Sequence, residues 1–442
     1  KRYIAKNQIQ FYTIDAVDIA RNIGLGNRTN MIMQSAFFKL SEIIPVEEAI
    51  MYLKDSVKTT YGRKGDEVVA KNCQAIDHGA TDIVKIDIPA SWADAKDDVP
   101  ADTGSLPEYV KNFLIPVNRL EGDSVPVSQM KNMEDGSYPT GTAAYEKRGV
   151  AIRVPHWDAQ KCVQCNQCSF VCPHGCIRPI LLTVEDKAAS PVVLDTKTAT
   201  GAKEYEFHMG ISVLDCTGCE NCVNICPVHA LDMHLLGEEQ AAADAWEYLA
   251  DLPQKQNPFN RLTVKGSQFE KPLFEFSGAC AGCGETPYIK LLTQLFGDRM
   301  TVANSAGCAH VFSGSVPVSP YTKDAKGHGP AWNSSLFEDT AEFGLGLFTG
   351  TRQIQKQLAN AAKRALSLHI DDDLDATLKN WLDNQFISTG TRNRAEALLA
   401  AIGKVDNKPE PLIELLDNKD YLVKQSQWLI GGDGWAYDIG YG

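Results

Sequence analysis

The sequence lacks any uninterrupted apolar run of about 18 residues or more, which argues against a membrane-spanning helix. It also lacks a basic surplus. Lys and Arg number 43 against 56 Asp and Glu, a formal net charge of −13. That balance makes nucleic acid and an anionic membrane poor partners. No initiator Met precedes Lys1, and no charged-then-apolar targeting segment opens the chain. Gly442 closes it inside a run of glycines and aromatics. Both ends are expected of a segment cut from a longer polypeptide, with a processed, complete subunit as the alternative. The 44% hydrophobic and 22% charged shares exclude a largely disordered chain. The 442 residues allow roughly two to four domains with ample core.

Cysteine is not scarce. There are thirteen, and most are spaced as metal ligands. Cys162, Cys165, Cys168 and Cys172 are followed by Pro173; Cys216, Cys219, Cys222 and Cys226 are followed by Pro227. Each set follows C-x2-C-x2-C-x3-C-P, the bacterial ferredoxin run, and its recurrence is an internal repeat. Three thiolates at two-residue gaps wrap one corner of a cubane, while the fourth, past a turn, reaches the other cluster. One [4Fe–4S] cluster is therefore assigned to Cys162, Cys165, Cys168 and Cys226, the other to Cys216, Cys219, Cys222 and Cys172. Zinc is the alternative, but zinc sites commonly draw four ligands from two separated pairs. A secreted disulfide framework belongs to shorter, loop-rich chains.

A third set is less specific. Cys280 and Cys283 form a CxxC, and Cys308 follows in Ser305-Ala-Gly-Cys-Ala-His310. A CxxC suits a redox dithiol, half a zinc site or part of a cluster site. Nearby glycines favour close approach of backbone to a bulky cofactor. Three cysteines are one short of a cubane's four, so either a fourth ligand lies beyond Gly442, the preferred expectation, or the site is not a standard cubane. Cys73 and Cys176 are expected to be small packing residues.

The chain divides by pattern. Residues 1–90 suggest an α/β piece, with a strand over Gln8–Asp15, a helix over Asp15–Ile23, and helical patterns at Pro45–Lys58 and Val68–Asp77. Residues 91–150, rich in Pro, Gly, Asp and Ser, suggest extended surface connections. The ferredoxin repeat fills 151–235, with an inserted hairpin at 183–212. A connecting segment spans 236–264, and 265–442 forms a second α/β region. There the pattern predicts a helix over Glu285–Phe296, a strand over Thr301–Asn304, helices from Ser334 to about Val423, and a strand over Ser426–Ile430. That last strand runs into Gly431-Gly-Asp-Gly-Trp435. A strand feeding a Gly-Asp-Gly turn ahead of a helix can hold a diphosphate and its Mg²⁺, although the tripeptide alone is an ordinary turn.

Together these residues resemble the pyruvate:ferredoxin (flavodoxin) oxidoreductase family. The likeness rests on the double ferredoxin run, on Cys280-Ala-Gly-Cys-Gly-Glu-Thr-Pro-Tyr288 and on Gly329-Pro-Ala-Trp-Asn-Ser-Ser-Leu-Phe-Glu-Asp339. Gly432-Asp-Gly-Trp-Ala-Tyr-Asp-Ile-Gly440 and Glu146-Lys147-Arg148 complete it. It spans nearly the whole chain, as the central-to-C-terminal segment of the single-chain enzyme. It implies a multidomain α/β architecture: part of an α/β coenzyme A-binding domain, a small linking domain, a two-cluster ferredoxin-like α+β domain and a truncated α/β thiamine-diphosphate-binding domain. It further implies oxidative decarboxylation of pyruvate to acetyl-CoA and CO2, with single electrons passing through three [4Fe–4S] clusters to ferredoxin or flavodoxin. Glu285, Cys308, Gly432, Asp433, Gly434 and Trp435 would face thiamine diphosphate, with Asp433 on Mg²⁺. Cys280, Cys283 and Cys308 would hold the cluster nearest the thiamine. Asn30 and Asn72 would contact coenzyme A, unless they simply cap helices or turns. Catalytic residues would lie mainly outside this segment, in the remainder of the polypeptide, so the segment alone is expected to be inactive. A homodimer in the cytoplasm of an anaerobic or microaerobic cell is expected. Another 2-oxo acid as substrate, or an electron-transfer subunit with ferredoxin-type clusters only, are the alternatives.

Overall fold

A computed structural model describes residues 1–26, 28–96, 104–313, 317–335 and 339–436. Parts of the motifs at 329–339 and 432–440, and Asn27 between Gly26 and Asn30, lie outside the described residues. The chain forms two compact units, Lys1–Gly104 and Ser105–Gly442, of mixed α/β structure.

The first unit is mostly helical. The Asp15 carboxylate accepts from the Asp18 amide and starts the helix Ala16–Ile23, and Gly24 at φ +84° ends it. Further helices span Asn30–Ser41, Val46–Tyr61 and Asp66–Thr81. Ala20, Ile32 and Ala75 are fully buried among them. Gly79 allows two of these helices to touch: a Cβ there would lie 2.3 Å from the Ile32 carbonyl oxygen. The expected strand over Gln8–Asp15 contracts to β1 (Phe11–Thr13), which pairs antiparallel with β2 (Val84–Ile86). The helix Asn30–Ser41 was not expected. Its apolar residues surround the axis, with Met33, Phe37 and Leu40 exposed, so no single stripe announces it.

In the second unit, residues 105–150 do not run as extended surface connections. Val110, Phe113 and Leu114 are buried in a π-helical turn, and Ala143 is buried in a short 3₁₀ turn. Main-chain bonds from Gly141 to Tyr321 and from Ala143 to Ser319 stitch this segment down. Its burial comes in short turns, which leave few periodic runs in the sequence.

The ferredoxin repeat is built on β3 (Arg153–Trp157) paired antiparallel with β7 (Leu231–Leu235). Between them lies a second antiparallel sheet of β4 (Ile177–Leu182), β6 (Glu206–Ile211) and β5 (Lys197–Thr198), with β6 central. The expected hairpin at 183–212 is therefore only part of the account. It also holds the helix Val184–Ala188, closed by a Thr183–Asp186 capping box, and β6 pairs chiefly with β4.

The last region carries a parallel sheet in the order β10–β8–β9, from β8 (Met300–Asn304), β9 (Ala331–Ser334) and β10 (Ser426–Ile430). Ser334 thus ends a strand instead of opening a helical stretch; the long helix begins at Thr340. Helices Thr340–Leu366, Asp372–Asn384, Thr391–Gly403 and Glu410–Asp417 enclose a separate core of Leu358, Leu378, Leu398 and Leu412. No described helix is long and apolar enough to cross a membrane.

Candidate functional site

The two ferredoxin runs fold alike. Each carries a short helix after the second cysteine, Gln167–Val171 and Asn221–Ile225, entered through a left-handed residue, Asn166 or Glu220. Backbone amides turn toward sulfur at matching places. Gln164 and Gly218 donate to Cys162 and Cys216 Sγ at 3.3 Å, and Cys176 and Ala230 donate to Cys172 and Cys226 Sγ at 3.3 and 3.2 Å. One repeat uses Gly218 at φ +67° where the other uses Gln164 at φ +57°. The Gln164 side chain anchors that strained position, donating to the Thr198 carbonyl and accepting from the Thr200 amide.

The chain crosses over between the quartets. Cys162, Cys165, Cys168 and Cys226 line one cavity. Cys172, Cys216, Cys219 and Cys222 line another. Cys176 also borders the second cavity, but its thiol donates to the Asp215 carbonyl at 3.1 Å and packs beside Trp246 and Phe276. Burial pushes the Cys168 and Cys216 thiols up to about 12, with neighbouring thiols adding to the shift. Burial raises Cys219 and Cys222 as well. So many desolvated thiols cannot ionise together unless strong positive charge enters the cavity, and a metal cluster supplies it. Cys172 is the exception: contact with Cys176, helped by the Lys290 ammonium, lowers its thiol well below the usual range. The donor set and its cradle of amides fit an iron–sulfur cluster in each cavity.

Of the third cysteine set, Cys308 stands past the carboxyl end of a parallel strand. β8 sits between β9 and β10, so the chain leaves it first to one side and later to the other. Such a reversal opens a crevice past the strand ends. Cys308 follows β8, and Gly431–Asp433 follow β10. The Cys308 thiol lies 3.6 Å from Asp433 Oδ1. A Cβ on Gly432 would stand 2.5 Å from Cys308 Cβ and 3.4 Å from Glu285 Oε2, so only glycine permits this approach. Burial, reinforced by the Asp433 carboxylate, pushes Glu285 up to about 7. Burial also raises Cys308, with Asp433 and Glu285 adding to the shift. Glu285 Oε1 and Trp435 Nε1 are buried without protein partners. A glycine cradle, an orphaned carboxyl oxygen and an aspartate at a switch point suit a diphosphate-bearing cofactor with a divalent ion.

The CxxC lies against the ferredoxin repeat. At Gly282, φ +76°, a Cβ would be 3.6 Å from Cys219 Cβ. His174, buried beside the second cavity, bonds through Nε2 to the Ala279 carbonyl at 2.9 Å, one residue before Cys280. The Lys147 ammonium meets Asp215 at 2.5 Å, next to Cys216, and Arg148 pairs with Glu146.

Sequence reasoning missed Lys290. It is 2% exposed, and its ammonium donates to the Ser169 and Phe170 carbonyls on the first cluster's helix. Burial pushes it down to about 8. Its signal was a lysine on the inner face of the helix Thr286–Phe296, between Thr286 and Thr293. Arg178 was missed too; it pairs with Glu275 between the rings of Trp246 and Phe276. In the first unit, Asn30 is exposed at the start of its helix. The buried Asn72 amide donates to its own helix's Val68 carbonyl at 2.8 Å. Cys73 is half-buried beside it.

Comparison with known proteins follows the same divisions. Residues 1–81 match the model for pyruvate ferredoxin/flavodoxin oxidoreductase. Residues 154–177 and 210–232 each match a 4Fe–4S binding domain, and residues 95–151 match a domain of unknown function. All of the chain aligns with the pyruvate-flavodoxin oxidoreductases of Klebsiella pneumoniae and Enterobacter agglomerans, at 51% and 50% identity. It also aligns with the pyruvate:ferredoxin oxidoreductase of Moorella thermoacetica at 49%. The chain spans 38% of the length of each of these relatives.

Proposed function

We propose, on the premise that the chain belongs to the pyruvate ferredoxin/flavodoxin oxidoreductase family, that it carries the electron relay and one wall of the cofactor site of such an enzyme. The whole reaction would be oxidative decarboxylation of pyruvate to acetyl-CoA and CO2, with single electrons delivered to ferredoxin or flavodoxin. Thiamine diphosphate with Mg²⁺ would supply the carbanion chemistry, and three [4Fe–4S] clusters the one-electron acceptance.

The chain's own residues have distinct tasks in this reading. Cys162, Cys165, Cys168 and Cys226 would hold one cluster; Cys172, Cys216, Cys219 and Cys222 would hold the second. Cys280, Cys283 and Cys308 would supply three ligands to a third, with a fourth from elsewhere in the polypeptide. Asp433 would ligate Mg²⁺. Gly432 lets the chain pass Cys308, and Gly434 and Trp435 continue the cofactor wall. Glu285, pushed up to about 7 by burial and the Asp433 carboxylate, is protonated for part of the time near neutral pH and can then donate a hydrogen bond. Asn30 and Asn72 are proposed toward coenzyme A. The divisions 1–90, 91–150, 151–235, 236–264 and 265–442 are proposed as coenzyme A-binding, linking, ferredoxin-like, connecting and thiamine-binding parts. Thiolate-held clusters suit a reducing cytoplasm.

The observation that carries the reading is Gly282 against Cys219. It sets the CxxC at the edge of the second cavity, while Cys308 faces Glu285 and Asp433. In this reading the three cysteine sets would follow one another away from the proposed diphosphate crevice. Cys280→Ser in the full-length protein tests it. Rapid reduction of ferredoxin should be abolished while slow CO2 release from pyruvate persists. Undiminished reduction would defeat the relay, and CO2 release only from another 2-oxo acid would reassign the substrate.

A further inference from the structure

Two imidazoles and a carboxylate converge away from all three cysteine sets. His156 on β3 and His234 on β7 stand diagonally across the antiparallel pair, whose register sets His156 opposite Asp232 and Val154 opposite His234. Their rings stack, 4.3 Å between centroids and 3° from parallel. Glu239, only 8% exposed, presents one oxygen, Oε1, to both Nδ1 atoms at 2.8 and 2.9 Å. The other nitrogen of His234, Nε2, meets the Asp232 carboxylate at 3.0 Å. The three potential ligand atoms all lie within 4.8 Å of one another.

We propose that His156 Nδ1, His234 Nδ1 and Glu239 form a binding site for a divalent transition-metal ion of the Zn²⁺ class, with water as fourth ligand. Two nitrogens and one oxygen are borderline donors, which favours zinc and its neighbours over Mg²⁺ or Ca²⁺. Asp232 supplies the outer carboxylate that ligating histidines commonly engage through their second nitrogen; it fixes the His234 ring so that Nδ1 faces the ion. Zinc lies about 2.0–2.1 Å from its nitrogen ligands, so tetrahedral ligands stand about 3.3 Å apart. The ligand triangle must therefore open slightly from its present 2.8 and 2.9 Å edges. The rings must also rotate out of their parallel stack, because each Nδ1 lone pair lies in its own ring plane. Side-chain exposures of 42% and 35% for His156 and His234 leave room for this. A cavity bordered by His156, His208 and Glu239 opens beside them and can admit the ion with its water.

The ion would fasten three points: β3, which leads into Cys162; β7, which follows Cys226; and the start of the helix Gln240–Asp251. It would clamp both flanks of the ferredoxin repeat without touching its thiols.

The test uses the full chain with its clusters reconstituted anaerobically, given one equivalent of ZnCl2 and then gel-filtered. Zinc and iron are counted, and the zinc environment is read by X-ray absorption. One zinc per chain is expected, with nitrogen and oxygen at about 2.0–2.1 Å and no sulfur at about 2.3 Å. His156→Gln and Glu239→Gln should each lose the zinc and keep the iron. Asp232→Asn, altering a side chain that is 70% exposed and so of little consequence for folding, should weaken zinc binding about 10–100-fold. No retained zinc in the unaltered chain, sulfur in its shell, or unchanged affinity in Asp232→Asn overturns the proposal. Were a ligand variant to lose iron as well, the absorption spectrum of the unaltered chain and the Asp232→Asn affinity would decide.

Discussion

Lys290 is a buried cation whose ammonium donates to two main-chain carbonyls, those of Ser169 and Phe170. Lys290→Met keeps the volume but removes both donations, at a cost of about 1–3 kcal/mol for carbonyls left without that donor. Lys290→Ala adds a cavity and should cost more, about 3–5 kcal/mol. Urea midpoints of the three proteins should fall in that order, and equal midpoints for the two variants would exclude the packing contribution. His208 gives a pH dependence. Its ring sits edge-on to Trp157, its Nδ1 donates to the Asp195 carbonyl at 2.7 Å, and burial holds it below the ordinary value. Below about pH 6.5 the unfolded chain therefore binds more protons than the folded one. Stability from this group is complete above that pH and is lost as pH falls through the folded-state value. His208→Gln should shrink the difference in urea midpoint between about pH 7.5 and pH 5.5; an unchanged difference would place the acid sensitivity on other groups.

Among the elements, the parallel sheet and the helical cluster have different work. The crevice between β8 and β10 depends on Gly432, because a methyl group there would overlap Cys308. Gly432→Ala in the full-length protein should remove about a third of the iron, leaving the two ferredoxin quartets loaded. Loss of all iron would show that the sites are not separable. The helices from Thr340 to Asp417 pack around a core that contains no cysteine. Leu378 is fully buried there, and Trp381 Nε1 donates to the Leu422 carbonyl at 2.8 Å. Leu378→Ala should cost about 2–5 kcal/mol in chemical denaturation. Iron content should not change, since the cysteine-bearing core around Val154, Phe207 and Val213 is a different cluster.

At the scale of the molecule, metal loading and folding should be linked region by region. The chain carries two cysteine quartets of the ferredoxin spacing, and Cys280, Cys283 and Cys308 besides, for which a ligand from elsewhere in the polypeptide is proposed. Reconstituted anaerobically, it should hold about eight irons, and the full-length protein about twelve. Four irons or fewer in the chain would contradict the paired assignment. Removing the clusters leaves buried thiols and unfilled cavities at the centre of residues 151–235. Amide hydrogen exchange should then accelerate through that region while the helices at 340–417 stay protected. Uniform acceleration would mean that the two cores unfold as one.

The cysteine repeat was legible because thiolate spacing is a local property: three ligands two residues apart can meet one cluster without reference to the rest of the chain. The strand Ser426–Ile430 and the helix that caps at Asp15 were legible for the same reason, an apolar run and a capping side chain. The buried turns of residues 105–150 were not, because their burial comes from partners such as Ser319 and Tyr321, nearly 180 positions away. Nor was the strand Ala331–Ser334, which is a strand because β8 lies beside it. Sequence alone determined which atoms could bind metal. Tertiary structure decided which of them share a cavity, that Gly282 rests on Cys219, and that Lys290 reaches two carbonyls of another region. It also joined two histidines 78 positions apart on one carboxylate oxygen. Those relations are set by strand register and close packing, which only the folded chain possesses.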